Sequence, residues 1–293
     1  MHVSFARSTL ALSDSGAGRK SNQSGIRLLT ESDLPAAMRL SVLAGWNQTA
    51  DDWRLLLDLT PDGCFGLEID GIIAASATLL SYGQRAAWIG MVLTDPDYRR
   101  RGLARQLVTH ALARADAMGT RTTKLDATEE GQPLYVSLGF VPEQPIERWF
   151  RPGPPAATAN ANQFRRELSR WFGADSRAFG TDRKKLLQKL TQRGQCFSSE
   201  KAYLLTRQGR TTAYLGPCVS DDLAAARELF QLAIQSSAPG GWSWDLFPHN
   251  AQAAALAHEL GFVPHRRLMR MFRGEELRGK DELIYAVAGF EFG

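Results

Sequence analysis

Apolar residues in the first half of the chain recur at two spacings, one typical of helices and one typical of strands. The helical spacing predicts helices at 31–43, 52–59, 102–118 and about 133–138. Short apolar runs bounded by turn residues predict strands at 26–29, 64–69, 72–80, 86–93 and 122–127. Asp70-Gly71 is a hairpin signal, so we expect the strands on either side of it to be antiparallel. The long helix joins the last two strands, which are therefore expected to be parallel neighbours.

The second half repeats this order beyond a stretch of small residues and prolines at 152–161. There we predict helices at 165–172, 182–190, 221–235 and 250–260, and strands at 202–206, 212–219, 242–246, 265–273 and 283–289. Arg207-Gln208-Gly209 is the expected turn between the first two of these strands, and Ser220 is the expected cap of the next helix. The segment Leu138-Gly139-Phe140-Val141-Pro142 returns as Leu260-Gly261-Phe262-Val263-Pro264.

These patterns predict two related domains, at 25–150 and 164–293, joined by a linker at 151–163. Residues 1–24 are rich in serine and glycine, and we expect them to be a disordered leader. Arg7, Arg19 and Lys20 stand there against a single acidic residue, which leaves a transit peptide as the alternative.

The overall composition excludes several classes of protein. The formal charge of +4 makes the chain mildly basic, but the sequence has no dense Lys/Arg stripe of the kind found in a dedicated nucleic-acid binder. Three cysteines at long spacings, with no Cys-x-x-Cys pair, indicate neither a disulfide framework nor a zinc site, so we expect them to be reduced and no metal to be bound. No run of 18 apolar residues is present, which predicts a soluble protein without a membrane span, placed in the cytoplasm.

The segment Arg99-Arg100-Arg101-Gly102-Leu103-Ala104, between a strand and the long helix, is typical of a pyrophosphate-binding loop. A glycine lets the backbone approach an anion, and the helix directs its unpaired first amides and its positive dipole end at that anion. Tyr135 and Leu138-Gly139-Phe140 follow further on.

Together these motifs resemble those of the Gcn5-related N-acetyltransferases (GNAT), whose signatures are Gln/Arg-x-x-Gly-x-Gly/Ala and Tyr-x-x-x-Gly-Phe. The resemblance covers about residues 25–293 and, through the looser matches at 88–92, 178–183, 215–217 and 270–271, extends to bacterial tandem members with a degenerate second domain. It implies an α/β (α+β) chain of two tandem GNAT folds, each a mixed, mostly antiparallel sheet flanked by helices.

The resemblance also implies acetyl-CoA as co-substrate. Its pantetheine arm would pair with the main chain of Met91, Val92 and Leu93. Its pyrophosphate would be held at the loop and the start of the helix, by Arg99, Arg100, Arg101, Gly102, Leu103, Ala104 and Arg105. Tyr135 stands where many family members place the general acid that protonates the departing thiolate, and packing beneath the cofactor is the alternative role.

The general base is not identifiable from the sequence. Asp126, Glu129 and Glu130 lie near the end of the strand at 122–127, where an acceptor should approach, but a solvated turn or a water chain explains them equally well. Four tryptophans are candidates to line an acceptor pocket, although tryptophans in strands usually belong to the core: Trp46, Trp53, Trp242 and Trp244. Acidic residues that would select a cationic acceptor are Asp51, Asp52 and Asp245, with surface solvation as the alternative.

In the second half the counterpart of the loop is expected at 216–221, which contains no arginine. Asp221 and Asp222 would place negative charge where a phosphate should lie, and Ala257 stands at the tyrosine position. We therefore expect only the first half to bind the cofactor, while the second half shapes the acceptor site or forms a homodimer.

The sequence thus predicts an N-acetyltransferase that transfers acetyl from acetyl-CoA to a primary amine of a small molecule or an amino-acid-like acceptor. One alternative is a non-catalytic acetyl-CoA sensor or scaffold. Another is an RNA-associated acetyltransferase, suggested by basic residues between 165 and 193, for which a solvated helix face is the favoured explanation.

Overall fold

The computed structural model describes residues 24–153, 168–235 and 240–293. Residues 1–23 of the predicted leader (1–24) and residues 154–163 of the predicted linker (151–163) lie outside these residues, while Ser24 already belongs to a strand. The first half contains β1 (Ser24–Leu28), α1 (Leu34–Leu43), α2 (Ala50–Leu59), β2 (Cys64–Ile69), β3 (Ile72–Ser81), β4 (Ala86–Thr94), α3 (Leu103–Ala117), β5 (Thr122–Ala127), α4 (Gln132–Val136) and β6 (Val141–Arg151). The second half contains α5 (Phe172–Phe179), α6 (Lys184–Arg193), β7 (Gln195–Ser198), β8 (Ala202–Arg207), β9 (Ala213–Ser220), α7 (Leu223–Gln235), β10 (Trp242–Leu246), α8 (Ala251–Glu259), β11 (Val263–Gly274) and β12 (Ile284–Ala286).

Three elements were absent from the sequence prediction: β6, α5 and β7. β6 contains two prolines, Pro142 and Pro145, which normally argue against an inner strand. The helix predicted at 165–172 was wrong, because its described part is a short 3-10 helix, Leu168–Trp171, and α5 begins where the prediction ends. The strand predicted at 283–289 was too long, since β12 ends at Ala286.

Two local predictions in the second half were also wrong. Arg207 is not a turn residue but the last residue of β8, and it is only 6% exposed. Ser220 does not cap α7, because the first-turn amide of Ala225 donates to Asp222 Oδ1 at 2.9 Å. Arg207 is held in the sheet by distant partners, Asp52 and Glu291, whereas Ser220 is the last residue of β9 and the cap is the next suitable residue along the chain.

The described strands form one twelve-stranded sheet in the order β1-β2-β3-β4-β5-β11-β6-β10-β9-β8-β7, with β12 paired to β9. β2 and β3 are antiparallel, as the hairpin signal predicts. β4 and β5 are parallel neighbours, as the crossover helix predicts, with Trp88 opposite Lys124. The other pairs are antiparallel apart from β9 and β10, so the sheet is mixed and mostly antiparallel.

The two halves exchange a strand. β11 of the second half lies against β5 of the first, with Arg270 opposite Asp126, while β6 of the first half lies against β10 of the second, with Arg148 opposite Asp245. Each of these opposed pairs is a two-point ion pair, with nitrogen–oxygen distances of 2.9 and 3.0 Å for the first and 2.7 and 2.6 Å for the second. The exchange joins both halves into one sheet and brings residues of the second half to the site described next.

Helices cover both faces of the first half's sheet. On one face α3 packs its apolar stripe onto β2–β5, and Tyr135 and Phe140 belong to the same cluster. On the other face α1 and α2 pack against residues that include Met91 and Leu268. The distinction matters because the candidate site opens through the sheet between these two faces.

Other features of the fold concern predictions made from composition. All three cysteines are buried. Within residues 24–153, 168–235 and 240–293, no helix is both long and apolar enough to cross a membrane. The same residues contain no cluster of three or more histidine, cysteine or acidic side chains that could hold a metal ion.

Candidate active site

β4 and β5 part at the point where the site begins. They pair only from Ala86 to Trp88, and β4 then bends at a bulge where Met91 adopts φ 48°. The bulge is held by Ser76, whose hydroxyl donates to Met91 O at 2.9 Å. Pro96 opens a short 3-10 helix after β4 and ends the strand. The gap between the strands leads into a cavity of about 960 Å³.

The loop before α3 forms one end of this cavity. Arg100 and Gly102 adopt left-handed backbone conformations, φ 60° and 77°, which curl the chain into the start of the helix. α3 begins at Leu103, so the amides of residues 103–105 have no acceptor within the helix. The helical hydrogen bonds start with Gln106 N, which donates to Gly102 O at 3.1 Å. These free amides at the positive end of a helix dipole suit an anion.

Three of the four predicted arginines line the cavity, namely Arg99, Arg100 and Arg105. Arg105 also donates from Nη2 to the Ser137 hydroxyl at 2.8 Å, which connects α3 to the end of α4. Arg101 does not line the cavity, because its guanidinium lies over the Tyr98 ring at 5.0 Å. Met91, Val92, Leu93, Gly102, Leu103 and Ala104 all contribute to the lining.

Tyr135 lies at the middle of the cavity wall. Its ring packs edge-on against Phe140, with centroids 5.9 Å apart, and Gly131 leaves room beside it, since a Cβ there would lie 3.2 Å from Tyr135 Cε2. Burial raises the pKa of Tyr135 to about 12. In the part of the chain that the structure describes, no group hydrogen-bonds its hydroxyl. The phenol is therefore protonated at neutral pH and available to a ligand.

The predicted acceptor residues are placed differently from one another. Trp46 and Asp126 line the cavity, as does Glu130, whereas Glu129 is exposed to solvent outside it. The Asp126 carboxylate is engaged by Arg270, and its side chain is 0% exposed. Burial raises the pKa of Asp126 against the opposing effect of Arg270. Asp126 therefore anchors the exchanged strand β11 beside the cavity.

Other predicted pocket residues are in the core or in ion pairs. Trp53, Trp242 and Trp244 are buried in the hydrophobic clusters and do not line the cavity, so for these three the core role holds and the pocket role does not. Asp52 and Asp245 are paired with Arg207 and Arg148, which neutralise the negative charge expected to attract a cation. Their burial could not be read from the sequence because both partners lie far along the chain.

The cavity also contains residues that the sequence did not indicate. On the face of α1 and α2, opposite Tyr135, it is lined by Gln48 and Glu291, by Arg148 and Arg266, and by the apolar side chains of Leu268 and Phe290. We call this part, together with Trp46, the polar chamber. Four of its residues follow position 260, so no motif of the first half could have revealed them. One signal was present, since the glycines at 289 and 293 on either side of Glu291 mark a chain that must turn tightly.

Glu291 is held against β4 by a tight approach of two backbones. A Cβ at Gly90 would lie 2.9 Å from Glu291 O, and Trp88 Nε1 donates to Phe290 O at 2.9 Å. Its carboxylate accepts from Arg207 Nη2 at 2.6 Å and from Gln48 Nε2 at 3.1 Å. Burial raises the pKa of Glu291, and the cation of Arg207 acts in the opposite direction.

The corresponding gap of the second half is filled by the chain itself. β9 and β10 pair from Ala213 to Leu215, and β12 then pairs with the end of β9 while Val287 N donates to Asp245 O of β10 at 2.9 Å. The predicted counterpart of the loop was wrong, because residues 216–220 lie inside β9. Asp222 caps α7 and is paired with Lys201. Among the second-half residues that the structure describes, β9 and β10 leave no open gap, and an acidic residue occupies the start of α7 where an anion would bind.

The basic residues between 168 and 193 do not form one solvated helix face. Arg183 is 2% exposed and is bound to Asp175 at 2.8 and 2.9 Å. Arg193 and Lys189 both approach Asp58. The expectation of a purely solvated face was therefore wrong for Arg183, while Arg165 and Arg166 lie outside the described residues.

A sheet whose parallel neighbours part at a bulge, beside a glycine-led helix start, defines a GNAT acetyltransferase fold, and comparisons with known proteins agree. Residues 31–140 match the Acetyltransferase (GNAT) family and residues 172–286 match an Acetyltransferase (GNAT) domain. The uncharacterised N-acetyltransferase YitH of Bacillus subtilis is 30% identical over 212 residues, which are 67% of this chain and 74% of YitH. The chain therefore belongs to the GNAT acetyltransferase family, in a tandem arrangement.

Solved structures agree with the fold. A Pyrococcus horikoshii protein described as a candidate acetyltransferase superposes with a TM-score of 0.81 at 20% identity, covering 99% of both chains. A GCN5-related N-acetyltransferase from Sphaerobacter thermophilus superposes with a TM-score of 0.57 at 16% identity, covering 88% of this chain and 98% of that one. The first of these similarities covers both halves together, including the sheet that they share.

Proposed function

We propose that the first half is an acetyl-CoA-dependent N-acetyltransferase whose acceptor is the primary amine of a small molecule. The observation that carries the proposal is the continuous cavity. It begins at the free amides of α3, passes through the gap between β4 and β5, and reaches the polar chamber on the opposite face of the sheet. A donor and an acceptor entering from opposite faces would meet at this gap.

The cofactor end of the cavity fits an acetyl-CoA molecule in charge and in backbone geometry. The free amides at 103–105, with Arg99, Arg100 and Arg105 around them, would hold the pyrophosphate. The bulged backbone at Met91–Leu93 lies along the gap, where β4 has no pairing with β5, and its polar groups would hold the amide groups of the pantetheine arm. When bound, acetyl-CoA supplies the activated acetyl thioester.

Tyr135 is the proposed general acid. Transfer forms a carbon–nitrogen bond and breaks the carbon–sulfur bond, so the amine must lose a proton and the departing sulfur must gain one. The protonated hydroxyl of Tyr135 faces the cavity and can donate to that sulfur. Its raised pKa keeps the proton on oxygen until the thiolate develops.

One matched pair of variants tests the cofactor end. Gly102 and Gly119 lie at opposite ends of α3, both have positive φ (77° and 68°), and a Cβ at either would meet nothing within 4 Å. Gly102→Glu and Gly119→Glu therefore add the same strain and the same charge. We expect Gly102→Glu to lose acetyl-CoA binding and coenzyme A release with every amine, and Gly119→Glu to retain both.

Other outcomes of the same assay have definite meanings. If wild type binds acetyl-CoA but releases no coenzyme A with any amine, the protein is a sensor or scaffold and not a transferase. If Gly102→Glu binds acetyl-CoA as tightly as Gly119→Glu does, the cofactor site is not at the start of α3.

A further inference from the structure

The polar chamber lies on the face of the sheet opposite Tyr135. Leu125 and Ala127 pack with α3, so the residue between them, Asp126, points to the other face. Met269 and Met271 of β11 also pack with the α3 cluster, which places Leu268 on the face of α1 and α2. Residues of the chamber are therefore separated from the proposed cofactor end by the sheet and meet it only through the gap.

One polar atom of the chamber is buried without a partner. Gln48 is 3% exposed, and its Nε2 donates to Glu291 Oε2 at 3.1 Å. A carboxylate only accepts hydrogen bonds, so the amide presents its nitrogen to Glu291, and its oxygen cannot be satisfied by that carboxylate. No described residue donates to Gln48 Oε1. Because a buried unpaired acceptor is costly, the site lacks a donor that a ligand would supply.

A primary ammonium group has the chemistry that this corner lacks. It carries a positive charge and three donors, which suits Gln48 Oε1 together with the carboxylate of Glu291. Glu291 is also next to the gap, because its backbone touches Gly90 at the start of the β4 bulge. A neutral amide or alcohol would offer fewer donors and no charge.

Arg266 is the unpaired charge of the chamber. Arg148 is neutralised by Asp245, and Asp126 by Arg270, but Arg266 makes no ion pair or hydrogen bond with any residue of the described ranges. Arg266 stands directly across from Arg148 in the β11–β6 pairing and is partly buried. A guanidinium that is partly desolvated beside a second one favours an anion.

We propose that the polar chamber binds a free amino acid, with its ammonium group donating to Gln48 Oε1 and to the carboxylate of Glu291, and with its carboxylate at Arg266. This assignment rests on the acetyltransferase activity proposed above and names its acceptor class. Glu291 would accept the proton that the ammonium group loses before nitrogen attacks the thioester carbon. The second half thereby supplies both the proton acceptor and the carboxylate-binding residue of the first half's site.

The test compares each of the twenty amino acids with its own carboxamide, which keeps the amine and side chain but lacks the carboxylate. Steady-state kcat/KM is measured for wild type and for Arg266→Gln, with Arg267→Gln as the control. Arg267 is the next residue of β11, its side chain is 68% exposed, and it is outside the cavity. Acetyl-CoA binding by calorimetry is recorded for each protein.

We expect at least one amino acid to be preferred over its carboxamide, and Arg266→Gln to reduce that preference about 10- to 100-fold through KM, as for loss of a charged hydrogen bond. Arg267→Gln should leave it unchanged. Glu291→Gln should lower kcat for both acceptors while acetyl-CoA binding persists. Equal or better turnover of carboxamides, or no acetylation of any amino acid by a protein that binds acetyl-CoA, overturns the acceptor assignment. Absence of acetyl-CoA binding in wild type refutes the proposed function itself.

Discussion

The ion pair between Arg270 and Asp126 provides a quantitative test of the strand exchange. Asp126→Asn keeps the shape of the side chain but leaves the guanidinium of Arg270 without its counter-ion, at 4% side-chain exposure. Removing one partner of a buried pair costs about 3–5 kcal/mol. Burial raises the pKa of Asp126, which shows that desolvation already opposes the ion pair. We therefore expect Asp126→Asn to lower the free energy of unfolding by about 3 kcal/mol, the lower end of this range, which is roughly a 150-fold change in the unfolding equilibrium constant.

Asp116→Asn is the matched control. Asp116 also binds an arginine of β11 at two points, Arg273, at 2.8 and 3.2 Å. Those side chains are 53% and 34% exposed, so the expected cost is below about 1 kcal/mol. Urea unfolding followed by tryptophan fluorescence measures both variants. If the two variants lose the same stability, or Asp126→Asn loses none, then β11 does not lie buried against β5 through this pair.

Further predictions concern the site and acid stability. Gly90→Ala should raise KM for the acceptor at least about 10-fold, because the new Cβ would lie 2.9 Å from Glu291 O and would displace that residue. The acetyl-CoA Kd should change little. An unchanged acceptor KM would contradict the placement of Glu291 beside Gly90. Tyr135→Phe should lower kcat about 100-fold with unchanged acetyl-CoA affinity. Because burial raises the pKa of Tyr135 to about 12, wild-type kcat should show no alkaline decline from this phenol up to pH 10. A decline centred near pH 9 that Tyr135→Phe abolishes would contradict the raised pKa. The hydrogen bond from Arg27 lowers the pKa of Asp33 from 3.8 to about 2. Asp33 therefore stabilises the fold above about pH 4, and this stabilisation is lost as the pH falls from about 4 to 2. Acid unfolding of Asp33→Asn should lack that loss, whereas an acid-unfolding profile identical to that of wild type would argue against the ion pair.

Local sequence patterns were sufficient to predict the elements around the start of α3. The bulged strand, the glycine before α3 and the short helix of Tyr135 are contiguous in the chain, and each carries its own chemistry. The same holds for the hairpin at Asp70-Gly71 and for the parallel pairing of β4 with β5, since both follow from adjacent elements.

The strand exchange could not be predicted in this way. β6 and β11 begin with the same Val-Pro pair after the same Leu-Gly-Phe turn, so either strand satisfies the local pattern beside β5. Two long-range ion pairs distinguish the strands. Arg270 and Asp126 are 144 positions apart in the chain, and Arg148 and Asp245 are 97 positions apart. Local propensity carries no information on such partners.

The lining of the polar chamber could not be predicted from the sequence for a related reason. Glu291 and Arg266 belong to the second half, and they reach the first half's cavity only because β11 and the segment after β12 cross over. The sequence left open whether four tryptophans and Asp245 line the acceptor pocket. In the structure three of the four tryptophans lie in the core, and Asp245 forms an ion pair with Arg148. Neither outcome can be predicted from the spacing of nearby residues in the sequence.

A crystal structure of the protein with acetyl-CoA tests the central claim most directly. We expect one molecule per chain, with its pyrophosphate on the amides of residues 103–105 and its thioester in the gap between β4 and β5 beside Tyr135. The gap between β9 and β10 should remain filled by β12 and Val287. Acetyl-CoA bound in the second half, or bound away from the start of α3, would contradict the account.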